Sequence, residues 1–174
     1  MVGIVASACS LGGAGASSSR RSHIVPATLL SHFRGSGIQF DYPASWSHHR
    51  HGFSTSMTGP IIDLSTQPMI NPCTTTGNTT QCTLPVRRLK PGGVVVVWDT
   101  GGGFSIQSRR PDLGVRVRVI RPGCPKVGGD EAVVGSIVAS HRRVFLVSAC
   151  LRGPNVAANE RAVRAMLASA VPVD

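Results

Sequence analysis

The stretch VFLVSACLRGPNVAANERAVRAMLASA, residues 144–170, decides the fold. Its first eight residues form an unbroken apolar run in which Ser148 carries the only hydroxyl group. Both alternating faces of this run are apolar, which is typical of a strand buried on both sides in the middle of a sheet. Gly153 and Pro154 then end the strand, and Asn155 is a favoured N-cap. We therefore expect a central strand that leads directly into a C-terminal helix.

The residues after this strand predict an amphipathic helix. Glu160 and Arg164 lie four residues apart, a spacing at which a helix brings opposite charges together on its solvent side. The apolar positions recur at helical spacing and form one stripe: Val156, Val163, Met166, Leu167 and Ala170. Such a stripe must pack against another layer, so we expect the helix to lie on the sheet that contains the central strand.

The preceding residues supply the other strands of that sheet. Ile38 to Tyr42 alternate apolar and polar side chains, which is typical of a half-buried strand, and Pro43 ends it. The run VVVVWDT, residues 94–100, is the strongest β-run in the chain. Further strands are predicted at residues 60–65, 115–119 and 132–140, and a hairpin at residues 141–143 leads into the central strand. The sequence thus predicts an α+β domain, an antiparallel sheet with a C-terminal amphipathic helix packed on it.

Two polar segments between these strands are predicted as loops. One is SHHRHG, residues 47–52, and the other is residues 66–85, which are rich in Thr, Pro, Gly and Asn. These residue types favour turns over regular strands. Trp46, just before the first loop, is expected to cover one end of the core.

Residues 1–37 differ from the rest and are predicted to lie outside the folded domain, which then spans residues 38–174. The short apolar leader that ends at Cys9 resembles the end of a bacterial lipoprotein signal peptide, in which the cysteine is lipidated. A full signal needs a basic region and a longer apolar segment before the cysteine, so this interpretation places the true start codon upstream. The alternative is that Cys9 is incidental. Residues 11–22, rich in Gly, Ser and Ala, are predicted to be a flexible tether.

The charge is strongly basic but spread out. The net charge is +10, and Lys90 and Lys126 are the only lysines, so arginine supplies almost all of it. A nucleic-acid binder would concentrate such charge on one face or in one run. Here the arginines form separate pairs: Arg20-Arg21, Arg87-Arg88, Arg109-Arg110 and Arg142-Arg143. This pattern argues against a nucleic acid as the partner, and a basic surface would equally suit an anionic membrane or cell-wall polymer.

Apart from Cys9, the chain has an even number of cysteines, which in an exported protein predicts disulfides. Cys73 and Cys82 flank a polar loop that has no apolar side chain to hold it, so local pairing is favoured there. Cys124 then pairs with Cys150. No two cysteines have the close spacing of a zinc site. Free buried thiols in a cytosolic protein remain the alternative.

The sequence carries no recognisable catalytic motif. His48, His49 and His51 are clustered, but adjacent histidines in one loop give poor ligand geometry without thiols or carboxylates nearby, so we expect neither a metal nor a cofactor. Gly101-Gly102-Gly103 lacks the Lys-Ser/Thr of a phosphate-binding loop, and no nucleophile elbow is present. The carboxylates are few and dispersed. The sequence therefore predicts a protein that is not an enzyme.

The chain resembles the PsbP-like superfamily in three places. These are the opening strand with YPASW at residues 42–46, the later β-hairpin, and the final strand-Gly-Pro-helix that ends in MLAS at residues 166–169. Within that superfamily it is most similar to small actinobacterial secreted proteins and lipoproteins of unknown function. The resemblance covers residues 38 to 171 and implies a PsbP-like fold and an accessory or binding role. It implies no catalytic residue.

These observations favour a non-catalytic extracytoplasmic protein, either secreted or tethered to the cell membrane through Cys9. Its expected partner is an unknown envelope protein or an anionic surface polymer, and we expect a monomer. One alternative is an enzyme whose site forms only in the fold, from His48, His49, His51 and Asp130. A second alternative is a cytosolic arginine-rich protein that binds nucleic acid, whose affinity would fall steeply with salt.

Overall fold

A six-stranded antiparallel sheet forms the centre of the computed structural model, which describes residues 29–51, 59–77, 79–101, 115–138 and 144–173. In spatial order its strands are β3 (Ser47–Arg50), β4 (Gly59–Ser65), β7 (Val94–Gly101), β10 (Val144–Leu151), β9 (Glu131–Val138) and β8 (Val115–Ile120). The strand predicted to be central, β10, pairs along its whole length with β7 on one side and β9 on the other. Its apolar character on both faces follows from this position.

One face of the central sheet, which we call the core face, is covered by both ends of the domain. A three-stranded sheet of β1 (Leu30–Gly35), β2 (Ile38–Pro43) and β11 (Val171–Pro172) packs here together with α1 (Val156–Ser169). The ring of Phe40 stacks on that of Trp98, with centroids 4.2 Å apart. Trp46 is also buried in this core, as expected.

The helix lies close to the sheet because β9 has a glycine below it. A Cβ atom at Gly135 would come within 2.9 Å of a methyl carbon of Leu167. Val163, Met166 and Leu167 are the buried residues of α1, and all three belong to the predicted apolar stripe. Asn155 occupies the N-cap position, although its side chain makes no capping hydrogen bond. The predicted α+β architecture, an antiparallel sheet with a C-terminal helix, is thus confirmed.

The folded domain begins earlier than the predicted boundary at Ile38. β1 lies within residues 1–37, which were predicted to lie outside the folded domain, and it forms a hairpin with β2. Ser36 and Gly37 both have positive φ angles, as a tight two-residue hairpin turn requires. Phe33 is buried against Phe40, with ring centroids 5.0 Å apart. This single aromatic anchor is too weak a sequence pattern to predict a strand on its own.

Both predicted loops contain strands. His48 and His49 lie on β3, which pairs with β4 at the edge of the central sheet, so the prediction of a loop there is wrong. Within residues 66–85, β5 (Cys73–Thr76) and β6 (Thr79–Cys82) form a two-stranded hairpin. Their side chains are polar because neither strand has an apolar layer to cover. The predicted hairpin turn at residues 141–143 lies outside the described residues.

The cysteine geometry agrees with the pairing that the sequence favours. Cys73 and Cys82 face each other across the β5–β6 hairpin and form one disulfide. Cys124 and Cys150 form the other, which links a loop to the central strand β10. Disulfides are typical of proteins in oxidising, extracytoplasmic compartments. Within the part of the chain that the structure describes, no helix is long and apolar enough to cross a membrane.

Candidate functional site

The second face of the central sheet, which we call the open face, carries the polar side chains of the strands. Residues that are direct cross-strand partners point to the same face of a sheet. One row of such partners crosses all six strands: His49, Asp63, Val97, Ser148, Val134 and Arg118. Asp99 lies two residues along β7 from Val97 and therefore shares this face. Two aspartates and a serine are thereby brought together on the sheet.

A separate segment covers part of this face. Residues 66–92, which we call the cover, contribute Val86 and Leu89 to a small second core with Val95, Val127 and Cys150. Hydrogen bonds join the cover to the loop between β8 and β9, among them Leu89 N–H to the Val127 carbonyl at 2.8 Å. The Cys124–Cys150 disulfide joins that loop to the sheet. The cover is therefore tied to the open face at several points.

Between the cover and the open face lies a cavity of about 570 Å³. Its floor is formed by the sheet, where Asp63, Val97, Asp99 and Ser148 line it. Its wall is apolar and comes from the cover and the short helix at residues 125–127: Ile70, Leu84, Val86 and Val127. A cavity of this size, with mostly apolar walls and a few polar groups, has the general character of a small-molecule site.

Two cations stand at the mouth of the cavity. Arg87 and Lys126 both line it, and both are exposed to solvent. The lining therefore combines two acids on the sheet with two solvent-exposed cations. Of the predicted arginine pairs, Arg87-Arg88 is described and exposed, while the other three lie outside the described residues.

Asp63 is the most deeply buried acid of the cavity, with 1% of its surface exposed. Its Oδ2 lies 2.7 Å from Nε2 of His51, which makes this a hydrogen-bonded pair. Burial raises the pKa of Asp63, and the hydrogen bond and charge of His51 oppose that rise. The histidine thus holds one carboxylate oxygen in place at the cavity floor.

Asp99 is half-buried on the same floor. Burial raises the pKa of its carboxyl, the negative charge of Asp63 raises it further, and the charge of His51 opposes the rise. Among the described residues, we find no hydrogen-bond or salt-bridge partner for its side chain. A carboxylate in a cavity without such a partner is available to an incoming donor.

The enzyme hypothesis placed its residues incorrectly. His48 and His49 are exposed on β3, where His48 Nδ1 lies 3.4 Å from the hydroxyl of Tyr42. Asp130 precedes β9, which is separated from β3 by three intervening strands, and accepts a hydrogen bond from the backbone N–H of Gly153. Of the predicted set, His51 hydrogen-bonds the Asp63 carboxylate, and His49, which lies opposite Asp63 on β3, acts on it through its charge. In the described ranges, no group of three or more His, Cys, Asp or Glu residues is arranged to hold a metal ion.

Asp63 and Asp99 were not predicted to lie together in one site. Each follows apolar residues within a predicted strand, in PIIDLS and VVVVWDT, where a charge is unexpected if the strand is buried on both faces. That local signal was available. What brings the two residues together is the antiparallel pairing of β4 with β7, and the register of that pairing is visible only in the structure.

Cys9 lies outside the described residues, so its lipidation stays a prediction. No protein-family model matches the chain, and no curated protein is significantly similar to it.

Proposed function

We propose that this protein is a non-catalytic, extracytoplasmic binding module that holds a small ligand, or one group of a larger partner, in the cavity on the open face. The observation that carries this proposal is the cavity itself, which has a volume of about 570 Å³ and lies between the cover and the sheet. Ligand sites in proteins are concave, mostly apolar and of roughly 300–1,000 Å³. The polar groups of such sites fix orientation, a role that Asp63, Asp99 and Ser148 can fill.

The compartment and the partner belong to the same proposal. Two disulfides support an oxidising environment, and the leader up to Cys9 supports a lipid tether or secretion. The antiparallel sheet with one C-terminal helix is compatible with a PsbP-like fold, whose members act chiefly as accessory or binding proteins. The net charge of +10 would attract an anionic surface polymer, and an envelope protein is the other candidate partner.

The cavity can be tested with an uncharged fluorescent probe, N-phenyl-1-naphthylamine, whose emission increases in apolar surroundings. We expect the wild-type protein to bind the probe, and Val97→Phe, which places a ring on the cavity floor, to weaken binding about tenfold or more. Val134→Phe is the matched control, because Val134 lies in the same cross-strand row but outside the cavity lining. Equal binding by both variants, or none by the wild type, would contradict the proposal.

An enzyme remains a second candidate because two carboxyls with raised pKa values line one cavity, beside a histidine. Acid–base catalysis often uses such pairs. This candidate predicts turnover of chromogenic esters or glycosides that is lost in Asp99→Asn. Probe binding without any turnover would favour the binding module.

A further inference from the structure

The cavity presents the carboxylate of Asp99, on which His51 acts only through its charge. Asp99 is half-buried on the floor, and the described residues offer its side chain no hydrogen bond or salt bridge. A buried or half-buried carboxylate of this kind is costly unless a donor or a cation satisfies it. The missing partner is therefore expected from the ligand.

Asp63 adds a second negative charge that favours a cationic ligand. It lies on the neighbouring strand, opposite Val97, and its negative charge acts on Asp99. Only Oδ2 of Asp63 is bonded to His51. The floor therefore places two acids on neighbouring strands, and a cation is attracted more strongly to such partly buried carboxylates than to carboxylates in bulk water.

The wall above this floor is apolar. Ile70, Leu84, Val86 and Val127 line it, and these side chains can desolvate a hydrocarbon chain but cannot donate or accept hydrogen bonds. Each methylene group that enters contributes about 0.8 kcal/mol of hydrophobic stabilisation. The lining thus matches a ligand with an apolar stem and a charged inner end.

We infer that the cavity recognises an aliphatic ammonium group, a primary amine on an apolar stem of a few carbons, with the ammonium against Asp99 and the stem along the apolar wall. This inference rests on the proposed function of the cavity. Charge-assisted hydrogen bonds from the ammonium N–H groups to the carboxylate fix the inner end. The same chemistry occurs in free aliphatic amines and in the lysine side chains of an envelope protein.

The mouth of the cavity adds a second preference. Arg87 and Lys126 repel a cation at the outer end of a ligand and attract an anion there. A stem that carries an ammonium at its inner end and a carboxylate at its outer end therefore complements both parts of the cavity. We expect 6-aminohexanoate to bind at least as tightly as hexylamine.

The test is calorimetric titration of the full chain, at pH 8, with three probes that share a six-carbon stem: hexylamine, hexanol and hexanoate. We expect hexylamine to bind at least tenfold more tightly than either hexanol or hexanoate. Tighter binding of hexanol or hexanoate would overturn the inference but leave the proposed function standing. Failure of all three probes and of N-phenyl-1-naphthylamine would overturn both.

A substitution tests whether Asp99 is responsible for the preference for hexylamine. Asp99→Asn keeps the size of the side chain and removes its charge, so it should lose the tenfold preference for hexylamine while still binding N-phenyl-1-naphthylamine. Asp41→Asn is the matched control, because Asp41 lies on β2 in the layer that covers the other face and bonds to His32. An Asp99→Asn variant that binds the neutral probe and keeps the full preference would contradict the assignment. If that variant fails to fold, the ranking of the three probes by the wild-type protein still decides the inference.

Discussion

Two aspartates on adjacent strands give the open face its chemical character. Each is an exception to the apolar pattern of its strand, and each costs the fold free energy because a charged carboxyl is poorly solvated there. Asp63 recovers part of this cost through His51, whereas Asp99 has no such partner among the described side chains. Charges that lower the stability of a fold are typical of functional sites, since there they are retained for binding.

The raised pKa of Asp99 predicts how stability depends on pH. Because the pKa is higher in the folded chain than its ordinary value of about 3.9, the folded state holds the proton more tightly than the unfolded state. This contribution is fully present below about pH 3.9. It is lost as the pH rises through the folded pKa, so an ionised Asp99 destabilises the fold at neutral pH.

Asp99→Asn should therefore be more stable than the wild type at pH 8, with a melting temperature higher by on the order of a few degrees for a chain of this size. The difference should shrink towards pH 3, where both side chains are uncharged. Thermal unfolding followed by circular dichroism across this range measures it. A difference that is constant with pH, or largest in acid, would show that ionisation of Asp99 is not the cause.

At the scale of elements, the two disulfides act on different parts of the cavity. One lies within the cover, and the other joins the loop that contacts the cover to the sheet. Cys73–Cys82 closes a small hairpin whose exposed strands contribute little to a core. Cys124–Cys150 closes a longer loop, and Cys150 is buried within the central strand. Cross-links over longer loops remove more entropy from the unfolded chain in the usual model.

Replacing Cys124 and Cys150 with serine should lower the free energy of unfolding by about 3 kcal/mol or more, since it also leaves a hydroxyl in a buried position. Replacing Cys73 and Cys82 should cost less stability but should weaken probe binding, because Cys82 and its neighbours line the cavity. Urea unfolding and fluorescence titration of the two double variants separate these effects. A larger loss of stability from the Cys73/Cys82 variant would contradict this division.

Some of these strands and the helix could be predicted from the sequence, and others could not. β10 has apolar side chains on both faces, and α1 has an apolar stripe at helical spacing. Because these patterns lie within the elements themselves, both were predicted with nearly correct bounds. β1 and β3 owe their structure to the partners they pair with, and their own polar sequences favour loops. The cavity depends on the register between β4 and β7 and on the path of the cover. Neither is encoded in any short stretch.

At the scale of the whole molecule, the two faces of the central sheet serve different purposes. The core face is sealed by the β1–β2 hairpin and α1, and it contains the larger hydrophobic core. The open face is only partly covered, and its side chains are a mixture of charged, polar and apolar groups. This division allows the core to supply stability while the other face remains free to bind.

The proposed compartment is testable on protein purified from its native host. We expect intact-mass spectrometry with alkylation to find Cys73, Cys82, Cys124 and Cys150 blocked before reduction and free after it. A lipid-sized mass on Cys9 and incorporation of labelled palmitate would support the tether. Blocked cysteines without lipid would favour a secreted form. Four free thiols would contradict an extracytoplasmic location. They would favour the cytosolic nucleic-acid binder, whose affinity would fall steeply with salt.

The three-stranded sheet on the core face has a consequence for handling the protein. β1 and β11 flank β2 in that sheet, so the described chain enters and leaves the domain from the same layer, on the side remote from the cavity. A fluorophore or an affinity tag attached at residue 29 or 173 therefore lies behind the sheet. The molecule can be immobilised through either position with its open face directed into the solution.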